Sequence, residues 1–122
     1  MYSILVVDDS ATMRRMVIAS LRALADIQCD QASTGLEAIE RLALAPVDLI
    51  ILDLNMPDMH GIEVLQFVRS HERYRAIPVI ILTTRGDNDS RAVAFAAGAS
   101  QYLTKPFTPQ LLSTHVSTLL YG

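Results

Sequence analysis

The sequence holds a single cysteine, Cys29, so no internal disulfide can form, and a reducing compartment is the simplest fit. Its first residues, Met-Tyr-Ser-Ile-Leu-Val-Val-Asp-Asp, lack a basic segment, and two acids cut the apolar run after four residues. That is not the pattern of a signal peptide. Nowhere does an apolar stretch approach the roughly 20 residues that span a bilayer, so no membrane insertion is expected. Charge of one sign is scarce too: the formal net charge of −3 gives no electrostatic footprint for nucleic acid. No repeat, linker or low-complexity tract interrupts the chain, and 122 residues fit one domain, residues 1–122. His60, His71 and His115 fall at no metal-ligand spacing and read as solvent-side residues. Within these limits, 51% hydrophobic against 19% charged residues describes a folded chain with a real core rather than a disordered one.

What is present is an alternation. Ile4 to Val7 is a continuous β-branched and aliphatic run stopped by Asp8-Asp9. Ser10, a good N-cap, opens a helical stripe of Met13, Met16, Val17, Leu21 and Leu24. Gln28 to Ala32 is a weak strand, and Thr34-Gly35 marks a turn before Leu36, Ile39, Leu42 and Ala43 at helical spacing, with Pro46 as the stop. Val47 to Leu52 is a second strong run, stopped by Asp53; Asn55-Met56-Pro57-Asp58 is loop chemistry. Ile62, Leu65 and Val68 form the next stripe. Val79 to Leu82 ends at Thr83-Thr84, Ser90 to Ala97 is an alanine-rich helix stopped by Gly98, and Gln101 to Thr104 precedes Lys105-Pro106. Thr108-Pro109 reads as N-cap and first helical position of a final helix carrying Leu111, Leu112, Val116, Leu119 and Leu120. Strand and helix thus alternate five times. Continuous apolar strands between amphipathic helices imply an α/β fold, a doubly wound five-stranded parallel sheet flanked by five helices.

Such sheets bind ligands at the carboxyl ends of their strands, where strand order reverses. Here those ends carry Asp8-Asp9, Asp53, Thr83-Thr84 and Lys105. Three clustered carboxylates repel one another unless a cation joins them, and a hard divalent ion such as Mg²⁺ takes oxygen ligands of this kind. Lys105 adds a fixed positive charge, Thr83 a hydroxyl donor, and Asp53 a carboxylate nucleophile. Positioning plus charge stabilisation is what phosphoryl transfer requires.

On Asp8-Asp9, Asp53, Thr83, Tyr102 and Lys105-Pro106, and over essentially the whole chain, the sequence resembles the bacterial response-regulator receiver domain, most of all its single-domain chemotaxis type. The resemblance implies a (βα)5 fold with flavodoxin-like strand order 2-1-3-4-5. It implies a two-component signalling switch, cytoplasmic and prokaryotic, rather than a turnover enzyme. Asp53 would take a phosphoryl group from the phosphohistidine of a histidine kinase or phosphotransfer protein. Asp9, Asp53 and the backbone carbonyl of Asn55 would ligate Mg²⁺ directly, and Asp8 through water. Lys105 would pair with the phosphoryl oxygens, and in-line attack of water would reset the switch. The Lys105-Pro106 peptide would be cis. Thr83 would be drawn to the phosphate, Tyr102 would turn inward, and the surface of the fourth helix, fifth strand and fifth helix would change for a downstream protein. Arg91, Phe95 and Tyr102 are the expected contacts there. A monomer is expected, with a dimer as the alternative. Thr84 is larger than the residue usual at its position, and Arg85 and Asn55 stand where the family tunes dephosphorylation.

Plainer readings exist for each residue. Asp8-Asp9 alone would suit a helix N-terminus, Thr83 a strand, Lys105 a solvated loop, and Tyr102 simple packing; Phe95 divides evenly between core and surface. Together the residues favour the site. A phosphatase of the haloacid dehalogenase type would need a second Asp two residues after the first as general acid and base, and position 55 is Asn55. A flavodoxin-like cofactor binder would need a glycine- and hydroxyl-rich loop after the first strand, where Asp8-Asp9 stands. A DNA-binding output finds no room before Tyr121-Gly122, although a longer regulator could contain this chain.

Overall fold

The computed structural model describes residues 1–122. Ten elements alternate: β1 (Tyr2–Val7), α1 (Ala11–Ser20), β2 (Ile27–Ala32), α2 (Gly35–Leu44), β3 (Leu49–Leu52), α3 (Gly61–Ser70), β4 (Val79–Thr83), α4 (Asn88–Ala96), β5 (Gln101–Thr104) and α5 (Pro109–Tyr121). All strand pairings are parallel, in the order β2-β1-β3-β4-β5. No helix is long and apolar enough to cross a membrane.

The continuous apolar strands are explained by two cores, one on each face. Successive side chains on a strand point to opposite faces. Leu5 and Val7, Ile50 and Leu52, Val79 and Ile81, and Tyr102 therefore meet α2, α3 and α4 through Ala38, Leu42, Val64, Leu65, Val68 and Ala94. Ile4 and Val6, Leu49 and Ile51, Ile80 and Leu82, and Leu103 meet α1 and α5 through Val17, Leu21, Leu112 and Val116.

Helix starts follow capping chemistry. The Ser10, Thr34, Asp87 and Thr108 side chains each accept the N–H three residues on, satisfying a donor the helix leaves free. Pro109 stands in the first turn of α5, as expected. His60 caps α3 through Nδ1, which accepts the Ile62 N–H at 3.1 Å. Sequence reasoning left His60 merely on the surface.

Several stripe assignments need correction. Met16, Leu36 and Leu111 are 50%, 57% and 46% exposed. Met16 and Leu111 stand beside Val17 and Leu112, which start the buried pairs Val17 and Leu21 and Leu112 and Val116, while Leu36 stands two residues before Ala38 of the pair Ala38 and Leu42; turning about 100° per residue, the helix carries each of the three out of the core. Ala43 is exposed for the same reason. The first helix ends at Ser20, so Leu24 packs from the turns that follow. His71 is half-buried, its ring stacked on Tyr74 at 4.4 Å, and His115 is half-buried on α5. Arg69, whose burial lowers its pKa, donates to the carbonyls of Gly98, Ile77 and Arg75 and ties the end of α3 to the segments preceding β4 and β5.

The Asp87 cap predicts a pH effect. The Ser90 N–H, and then the Ser90 hydroxyl, lower the Asp87 pKa below its ordinary value of 3.8. The unfolded chain therefore binds a proton more readily, so the cap's contribution is whole above about pH 4 and is lost as pH falls through the lower folded value. Asp87→Asn keeps a capping oxygen without the titration. Its urea midpoint should stay near wild type at pH 6 and fall less steeply than wild type below pH 4.

Candidate functional site

Strand register brings the acids together. Val7 pairs with Leu52 across β1 and β3, so the next residues, Asp8 and Asp53, leave the sheet side by side. The Asp53 N–H extends that ladder to the Val7 carbonyl at 3.0 Å, and the Asp8 N–H bonds the Ala32 carbonyl at 3.1 Å. This is also where strand order reverses, β2 lying on one side of β1 and β3 on the other. Carboxylate oxygens of Asp8, Asp9 and Asp53 lie within 4.8 Å of one another. Asp8 and Asp53 are buried, while Asp9 is exposed at the mouth.

Lys105 reaches this cluster from the end of β5. Its Nζ donates to Asp8 Oδ2 at 2.7 Å and to Asp53 Oδ2 at 3.3 Å, with little of any of the three side chains exposed. The Lys105 N–H bonds the Thr83 carbonyl at 2.8 Å, which ties the lysine to the end of β4. The Lys105-Pro106 peptide is cis. The free Oδ1 oxygens are also engaged. Asp8 Oδ1 accepts the Ser10 N–H at 2.9 Å, and Asp53 Oδ1 accepts the Asn55 N–H at 3.3 Å. Charge-assisted bonds of this kind fix carboxylate orientation.

Thr83 is fully buried on the same sheet face as Tyr102, since Ile81 pairs with Tyr102 and Thr83 lies two residues further along β4. One residue joins their hydroxyls. The Arg85 N–H donates to Thr83 Oγ1 at 3.4 Å, and the Arg85 carbonyl accepts the Tyr102 hydroxyl. The Tyr102 ring is buried, and burial, followed by the charge of Asp87, raises its pKa. The Arg91 guanidinium covers it at 4.9 Å, and the Phe95 ring lies 6.3 Å away. Phe95 is 43% exposed, so it is a surface residue beside Tyr102 rather than core, and Val93, unremarked in the sequence, is 54% exposed on the same helix. Thr84 and Arg85 are exposed at the rim.

Three comparisons bear on this geometry. The family model described as response regulator receiver domain matches residues 4–117. The chain belongs to the response-regulator receiver domain family. Among its relatives, Chemotaxis protein CheY1 of Helicobacter pylori is 42% identical over 118 residues, covering 96% of this chain and 95% of that protein. The solved structure of the chemotaxis response regulator CheY4 of Vibrio cholerae is 36% identical with a TM-score of 0.89, covering 98% of this chain and 99% of that one. The Mn²⁺-bound form of response regulator Rcp1 is 28% identical with a TM-score of 0.87, covering 98% and 95%. This receiver is of the CheY type, a phosphorylation-dependent signalling switch. Its fold is the five-stranded, doubly wound one expected from the sequence.

Sequence reasoning missed two supports of this receiver's pocket. Arg14, one turn into α1, donates to the Asp8 carbonyl and to Gln31 and so braces the end of β1 against β2. Gly61 lies against the main chain of Asp53 itself: a Cβ there would stand 2.4 Å from the Asp53 carbonyl oxygen and 2.7 Å from Leu54 Cα. Its N–H bonds the Leu54 carbonyl at 2.8 Å. Backbone cannot yield as a flexible side chain can, so Gly61→Ala should cost about 1–3 kcal/mol, as overpacking does. Urea unfolding measures the loss, and the phosphorylation rate should fall with it as the Asp53 main chain shifts.

Proposed function

We propose that Asp53 accepts a phosphoryl group from a phosphohistidine of a histidine kinase or phosphotransfer protein, and that the surface of α4, β5 and α5 reports its arrival to a downstream protein. The observation that carries this reading is the buried Asp53 carboxylate held between Lys105 and two further acids at the strand-order reversal. An Asp53 oxygen attacks the phosphorus, the bond from phosphorus to the imidazole nitrogen breaks, and that nitrogen leaves with the electron pair. Lys105 Nζ, already within bonding distance of Asp53, is placed to hold a phosphoryl oxygen where negative charge gathers.

Three carboxylates and one ammonium leave an excess of negative charge among hard oxygen donors, which fits a divalent cation. Asp9, Asp53 and the Asn55 carbonyl would hold Mg²⁺ directly, and Asp8, paired with Lys105, through water. The ion when bound supplies neutralisation of the phosphoryl oxygens.

The reading of the phosphate falls to Thr83 and Tyr102. If the Thr83 hydroxyl turns toward a phosphoryl oxygen, it gives up the Arg85 N–H, and the Arg85 main chain, whose carbonyl receives Tyr102, is freed to move. Arg91 and Phe95 lie beside that ring and would carry the change to a partner. The equilibrium between two arrangements shifts with one charged group. Thr84 at the rim would slow access to Asp53.

Intact mass after incubation with Mg²⁺ and a small phosphodonor should show one added phosphoryl group that is absent in Asp53→Asn. The same addition at the same rate in the variant would overturn the assignment. Lys105→Ala should still bind Mg²⁺ but lose the phosphorylation-dependent change around Tyr102 in an NMR spectrum; an unaltered response would remove Lys105 from the switch.

A further inference from the structure

We infer that Asp58 is a positioning residue for the acidic pocket: its carboxylate latches the β3–α3 loop to the start of α2 and so fixes the segment carrying Asn55. The inference rests on the divalent-cation reading of that pocket and adds a residue that neither the motif nor the pocket contains.

Asp58 Oδ1 accepts the Gly35 N–H and Oδ2 accepts the Leu36 N–H, each at 3.0 Å. These are first-turn donors, which a helix cannot satisfy internally. Yet α2 already carries a cap of its own at Thr34. Thr34 Oγ1 accepts the Glu37 N–H at 3.0 Å, and the Glu37 carboxylate returns to the Ser33 N–H at 2.7 Å. A second carboxylate arriving from 22 and 23 residues away therefore ties two elements together, beyond capping one helix. The two N–H groups, that of Leu36 first, lower the Asp58 pKa, so the bonded form is the charged one.

Packing at the same junction points the same way. A Cβ on Gly35 would stand 2.9 Å from Met59 Cβ and 3.0 Å from its sulfur. The loop thus approaches the helix start through the residue next to Asp58, and glycine is what permits it. At its far end the loop is fixed by Gly61 against the Asp53 main chain. Between these points no main-chain to main-chain hydrogen bond involves residues 56–59. The Asp58 latch and the Met59 contact hold that stretch together with Met56, which packs against the core, and Asn55 begins it, its N–H on Asp53 Oδ1 at a long 3.3 Å. Loosening the latch frees the Asn55 carbonyl before any ion binds, so the ordering cost is added to ion binding.

The test uses the whole chain as wild type, Asp58→Asn and Glu37→Gln. The last removes capping charge from α2 without touching the loop. In metal-free protein, amide hydrogen exchange should quicken across residues 55–60 in Asp58→Asn and stay near wild type there in Glu37→Gln. By calorimetry, Mg²⁺ should bind Asp58→Asn about tenfold more weakly, the lower end of what losing an outer-shell partner costs. Glu37→Gln should match wild type, and saturating Mg²⁺ should restore phosphorylation of Asp58→Asn. Unchanged exchange at 55–60 in Asp58→Asn, or equal Mg²⁺ loss in both variants, would overturn the latch. Should wild type itself take up no Mg²⁺, the divalent-cation reading fails, and the metal-free exchange still decides whether Asp58 orders the loop.

Discussion

Like charge gathered at one edge of an apolar sheet is the constraint on which this molecule turns. Asp8, Asp53 and Thr83 are its buried polar residues, and all three stand at adjoining strand ends. Apart from the tyrosines Tyr74 and Tyr102, the other buried side chains are hydrocarbon, and no buried side-chain polar atom is without a hydrogen-bond partner. The carboxylates are tolerable because Lys105 bonds two of them and backbone N–H groups take their remaining oxygens. A buried ion pair is weak as a stabiliser, since desolvation offsets most of its attraction. Its presence here is better explained by the signalling role of the family to which the chain belongs than by stability.

Those strand ends were legible in the sequence for a definite reason. A run such as Leu49-Ile50-Ile51-Leu52 has no exposed face, so it must be covered on both sides, and the first acid after it marks the sheet edge. Gln101–Thr104 as a strand, and the Ser10 and Thr108 caps, rest on equally local rules. The exposed Met16, Leu36 and Leu111 were not legible, because neighbouring apolar residues leave a helix free to choose between two faces until its packing partner is known. Arg14, Asp58, Gly61 and Arg69 were hidden in another way. Each acts across a gap in sequence on a backbone group, and backbone groups carry no signature in the sequence.

Rigid strands alone do not hold the pocket in register. The β3–α3 loop leaves the sheet immediately after Asp53, and its return is set by Gly61 lying on the Asp53 and Leu54 main chain. The loop is thus pinned to the aspartate it follows. A site assembled from four strand ends needs such pins, because side chains from distant segments must agree to a fraction of an ångström for transition-state charge to be met.

The same economy supports the proposed route from a charge at Asp53 to Tyr102, which needs no moving domain. Thr83 and Tyr102 occupy one sheet face on neighbouring strands, and the peptide units on either side of Arg85 lie between their hydroxyls. Its N–H is committed to Thr83 at 3.4 Å, a long bond that gives way readily, while its carbonyl holds the tyrosine. Arg91 and Phe95 flank that ring from α4, a helix whose Asp87 cap adjoins Arg85. The Thr83 hydroxyl therefore has a short path, through two hydrogen bonds and the Arg85 main chain, to an aromatic ring and a helix start. On the proposed reading, two nearly balanced arrangements of that path would suffice for a switch, because the Arg85 N–H bond that holds one of them is long and weak while a phosphoryl group adds a full charge.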